Sequence, residues 1–137
     1  MRFPLKDPML VYARVKGPND KVREFSSVLD FNSPYCVIPP KHAVNLGCIE
    51  AAFRPRDWQK THPNKVPYFL DLRGIERSIL LKLPEVSIGR LTARNVQAIV
   101  LELEVPRAIP FDLILGRTFL DNFKLVLDGK SGFLSLS

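Results

Sequence analysis

The chain has 137 residues, 46% apolar and 25% charged, which suits one folded domain over residues 1–137 and argues against disorder. Its formal charge is +6, but the basic residues are scattered from Arg2 to Lys130, which disfavours a nucleic-acid partner. The longest apolar run, Met9 to Ala13, has five residues against the ~20 a membrane helix needs, and Met1 to Pro8 lacks a signal-peptide core, so a cytoplasmic protein without membrane contact is expected.

The 12 prolines, spread from Pro4 to Pro110, leave room only for short elements, because an interior proline costs a helix ~3 kcal/mol. Met9 to Lys16 and Val22 to Asp30 read as strands, joined in a hairpin by Gly17-Pro18-Asn19-Asp20. Tyr35 to Ile38 is a short apolar strand, stopped by Pro39-Pro40. Lys41 to Leu46 suits one or two helical turns ended by Gly47, with His42 on the helix surface. Residues 49–65 mix Arg54, Arg56, Trp58, Lys60, His62 and Lys65 with weak periodicity and read as a mobile excursion. Strands are expected over Val66 to Leu72 and Ile75 to Leu83, then over Glu85 to Leu91 and Asn95 to Val105. Phe111 to Leu115 is short and very apolar, and Gly116 to Asn122 fits one short helix. Lys124 to Asp128 and Phe133 to Leu136 flank Gly129-Lys130-Ser131-Gly132, a hairpin signal. Many short strands with one or two short helices predict an all-β barrel or sandwich.

Several chemistries lack support. Cys36 and Cys48 lie twelve positions apart, too far for a zinc clip, and read as free, mostly buried thiols. Gly129-Lys130-Ser131 lacks the first glycine of a phosphate-binding loop and joins two strands. There is no G-x-S-x-G elbow and no H-E-x-x-H motif.

Two segments stand out together. In the first, Ser26-Ser-Val-Leu-Asp30-Phe-Asn-Ser33, an apolar strand delivers a carboxylate just before turn-forming residues, and Tyr35-Cys-Val-Ile-Pro39 follows. In the second, Phe111-Asp-Leu-Ile-Leu-Gly116-Arg-Thr-Phe-Leu120, a very apolar strand runs into Gly and a short helix. The pair resembles the retropepsin-like aspartic proteases, the retroviral-type homodimeric enzymes and their cellular relatives, over about residues 9–48 and 84–137. In that family an apolar strand delivers Asp-Thr-Gly, and a later apolar-apolar-Gly motif leads into a helix.

The resemblance implies a closed, pepsin-like β-barrel with half an active site per chain and a flap over about residues 49–83, where Trp58 would touch substrate or pack in the loop. Asp30 would be the catalytic residue, Phe31, Asn32 and Ser33 the supporting loop, and Leu115, Gly116 and Arg117 the motif beneath it. A homodimer would bring two Asp30 carboxylates together to hydrolyse a peptide or protein substrate, with no metal or organic cofactor. The family's Thr is Phe31 here and its Gly is Asn32, which suits that place best if its φ is positive. The acid that viral members pair with the Arg is Pro34, so Arg117 needs another partner. Taken alone, Asp30 would be a turn or cap residue; the second motif puts the catalytic role ahead. Asp112 reads as a strand-start residue and Asp128 as part of the hairpin turn. Two other functions compete: a catalytically inactive binding or assembly module of the same fold, and a nucleic-acid-binding β-barrel drawing on the Arg54 to Lys65 cluster.

Overall fold

Alternation of apolar and polar side chains builds the first hairpin. A computed structural model describes residues 1–49, 68–70, 78–103 and 110–137. Val11, Ala13 and Val15 point inward from one strand while Tyr12 and Arg14 face out, the period-two pattern of a half-buried sheet. We label the strands β1 (Arg2–Pro4), β2 (Leu10–Lys16), β3 (Val22–Leu29), β4 (Cys36–Ile38), β5 (Tyr68–Leu70), β6 (Ser78–Ile88), β7 (Leu91–Val100), β8 (Leu113–Leu115), β9 (Leu125–Asp128) and β10 (Phe133–Leu136). Two short helices are α1 (Pro40–Asn45) and α2 (Arg117–Leu120). None of the described helices is long and apolar enough to cross a membrane.

The larger sheet runs β2-β3-β8-β4-β7-β6-β5, and β2 also pairs with β6, which closes a six-stranded mixed barrel. Leu83, Val86, Val96, Leu113, Leu115 and Phe119 are fully buried at its centre. Strand β8 pairs in parallel with β3 and antiparallel with β4, so it lies between two strands that are consecutive in sequence. The loop joining β3 to β4 must therefore pass over the end of β8. That threading positions the candidate site.

The expected break at Pro84 is absent. Strand β6 continues through it, and the β6–β7 ladder skips only the Pro84–Asn95 pair before resuming in the same register. Proline has no N–H to donate, and Asn95 opposite takes a φ of 53°, which Asn tolerates better than most residues. Strand β7 starts at Leu91 rather than Asn95 and ends at Val100 rather than Val105. Of the expected strands around Arg73-Gly74, β5 pairs antiparallel with β6 through Tyr68↔Leu80, while 71–77 lie outside the described residues. So do Trp58 and most of the excursion over 49–65. Helix α1 ends where expected, with Gly47 at a φ of +78°.

A second sheet, β1-β10-β9, carries both ends of the chain. Its hairpin forms as expected: Phe133 pairs with Asp128 and Leu136 with Leu125. The Asp128 carboxylate accepts from the N–H groups of Lys130 and Ser131 at 3.1 and 3.0 Å, which holds its pKa below the ordinary range. Strand β1 was not legible in the sequence; it forms because Phe3 packs against the core and Arg2 lies 4.2 Å over the Phe133 ring. Leu125 and Leu127 stand opposite Leu136 and Leu134 and share their face, yet they are 37% and 61% exposed while Leu134 and Leu136 are fully buried.

Candidate active site

The loop over 30–35 is held along its length by the end of β8 and the segment that follows it. The Asp30 N–H donates to the Leu115 carbonyl at 3.0 Å, which extends the β3–β8 ladder by one bond. The Arg117 N–H donates to the Ser33 carbonyl at 2.8 Å. Between these two bonds lies Gly116, where a Cβ would collide with the carbonyl oxygens of Ser33 and Tyr35. Glycine is required here because two backbones meet, not because of its φ. The motifs around Asp30 and Gly116, over 80 positions apart in sequence, are thus in direct contact.

Within the loop, the Asp30 carboxylate accepts the Asn32 N–H at 2.9 Å, and the Ser33 N–H donates to the Asp30 carbonyl at 3.3 Å. This tight turn presents the carboxylate at the loop's start. The Ser33 hydroxyl donates to the Tyr35 carbonyl at 2.6 Å and stabilises the turn's far side. Asn32 is exposed and keeps a negative φ; among the described residues only Asp20 and Asn95 are non-glycine residues with positive φ. No glycine-like conformation is therefore needed at position 32. Phe31 packs against the chain's own core.

Arg117 finds its partner in Asp121, at 3.1 Å and one helical turn on. The i,i+4 spacing puts the two side chains on one face of the helix. Thr118 was missed. Its hydroxyl donates to the Gln97 carbonyl at 2.6 Å and accepts the Cys36 N–H at 3.1 Å.

His42 departs from expectation. Its side chain is only 18% exposed, packs against Phe25 with ring centroids 4.8 Å apart and planes tilted by 59°, and lies 3.4 Å from Asp112. The Phe25 ring draws the imidazole inward, against the expectation of a surface position. Asp112 stands immediately before β8, its N–H donating to the Ser26 carbonyl at 2.7 Å. Both cysteines are free thiols, and burial raises both pKa values, that of Cys48 to about 11.

No family model matches this chain, and no curated protein matches it by sequence. Among solved structures it is similar to a retropepsin-like aspartic protease from Rickettsia conorii, with a TM-score of 0.63 and 17% identity, covering 99% of this chain and 88% of that one. It is also similar to the retroviral protease-like domain of Ddi1 from Leishmania major, with a TM-score of 0.50 and 13% identity, covering 95% of this chain and 88% of that one. The strand-threaded loop and the closed mixed barrel are therefore those of the retropepsin-like fold.

Proposed function

We propose that the protein is an aspartic-type endopeptidase that works as a homodimer. The observation that carries this reading is the Asp30 turn, with its carboxylate oriented by the Asn32 N–H and its backbone bonded to Leu115. Peptide hydrolysis by this route needs two carboxylates that share one proton. One takes a proton from water as general base; the other, protonated, polarises the scissile carbonyl. One chain supplies one such carboxylate, so a two-fold partner completes the pair. The mechanism calls for no metal and no organic cofactor.

The β9 edge supports the same partner. Leu125 and Leu127 continue a core-facing row beyond the chain's own core, and an exposed apolar strand edge is a template for pairing. The substrate would be an extended peptide, bound by strand addition. The packing of Phe31 into its own core favours a second reading, a binding or assembly module of the same fold, because that side chain is engaged within one chain.

Asp30→Asn separates the two. The change is nearly isosteric but removes the group that accepts and shares the proton. Wild type should cleave peptides from a mixed library with a bell-shaped pH profile belonging to the carboxylate pair. The variant should lose that activity while its circular dichroism stays the same. A folded variant that cleaves as fast as wild type would refute the peptidase mechanism, and a wild type that binds but never cleaves would establish the second reading.

A further inference from the structure

Three backbone N–H groups anchor the loop that carries Asp30, and they are not equivalent. At the near foot, Asp30 donates to the Leu115 carbonyl, and in the middle Arg117 donates to the Ser33 carbonyl. Both bonds join backbone to backbone and depend on no side chain. At the far foot, the N–H of the fully buried Cys36 donates to the Thr118 hydroxyl at 3.1 Å. Here a single side chain stands where a strand carbonyl would otherwise be. The same hydroxyl donates to the Gln97 carbonyl at 2.6 Å, so it ties the start of β4 to α2 and to β7 at once. The Cys36 sulfur lies 3.4 Å from it. A hydroxyl has one proton to give and two lone pairs to offer, and this one uses both functions on backbone groups.

We propose that Thr118 is a positioning residue for Asp30. Its hydroxyl fixes the far foot of the 30–35 loop and through it the turn in which Asn32 orients the Asp30 carboxylate. The significance for catalysis rests on the peptidase reading; the positioning itself does not. Valine at 118 keeps the branched shape and removes both hydrogen bonds. Serine keeps both bonds and removes only a methyl group.

The test compares 15N-labelled wild type, Thr118→Val and Thr118→Ser by amide hydrogen exchange and by a 13C titration of the Asp30 carboxyl group. Thr118→Val should speed exchange at Cys36 and at Asn32 about tenfold or more and move the Asp30 titration, while exchange in β9 and β10 stays as in wild type. Thr118→Ser should restore wild-type values at both positions. On a cleaved peptide, Thr118→Val should lower kcat about tenfold to a hundredfold with little change in KM, because misplacement of a reacting group costs turnover. Unchanged Asn32 exchange and Asp30 titration in a folded Thr118→Val protein would overturn the proposal. So would a Thr118→Ser protein as disturbed as the valine variant, since packing and not the hydroxyl would then be responsible. If the valine variant does not fold, Thr118→Ala carries the same comparison. A wild type that cleaves no peptide would end the peptidase reading, while the exchange and titration results would still decide the role of Thr118.

Discussion

Two near-identical tripeptides have opposite fates in this molecule. Leu113-Ile114-Leu115 forms β8, and Leu125-Val126-Leu127 forms most of β9. Strand β8 is flanked by β3 and β4, and both of its leucines are fully buried. Among the described residues strand β9 pairs only with β10, and Leu125, Val126 and Leu127 are all exposed. Composition does not separate them; neighbours do. A strand threaded between two others loses its apolar surface to its own chain, whereas an edge strand keeps that surface for something else. The first arrangement holds the Asp30 loop, and the second leaves an apolar face exposed, which the proposed dimer would cover.

Substitutions can test how far this contrast extends into stability. The largest effect should come from Leu115→Ala, which leaves a cavity under the Asp30 loop and should cost about 3 kcal/mol in urea denaturation. A cost under ~1 kcal/mol would mean that β8 is less enclosed than it looks. Arg117→Ala removes a surface pair with Asp121, both side chains more than half exposed, and should cost about 0.5 kcal/mol, so the Arg would not be a structural keystone. Leu127→Lys should change the stability of the single chain by less than ~0.5 kcal/mol while shifting sedimentation toward monomer mass. A dimer undisturbed by this lysine would move the interface away from β9.

Cys48, half-buried against the core, lies between the two extremes. Burial raises its pKa from 9.0 to about 11, so its thiol contributes stability that is fully present below pH 9 and is lost as pH rises toward 11. Cys48→Ala should remove that part of the alkaline decline and leave the acid side unchanged, as read from denaturation curves across this range. An unaltered alkaline slope would show that Cys48 is not its source.

Much of this architecture was legible because it is local. The hairpin turns at Gly17 to Asp20 and Gly129 to Gly132, the stop at Pro39, and the Gly47 helix end each follow from a few adjacent residues. The Asp30 and Gly116 motifs were legible as a pair, and the structure brings them into contact. What stayed hidden depends on distant partners. The passage of β6 through Pro84 relies on Asn95 across the ladder. The inward turn of His42 relies on Phe25 and Asp112. The tie made by Thr118 relies on Cys36 and Gln97, 82 and 21 positions away in sequence.

In the proposed enzyme, two Asp30 carboxylates, one from each of two chains, form one catalytic site. Mixing tests it most directly. Wild type and Asp30→Asn protein, combined in equal amounts at fixed total concentration and allowed to exchange subunits, are assayed on one cleavable peptide. If both carboxylates are needed, only wild-type pairs work, and activity should fall to about one quarter of that of wild type alone. Activity that falls only to about one half would show that each chain acts by itself, and would contradict the shared site.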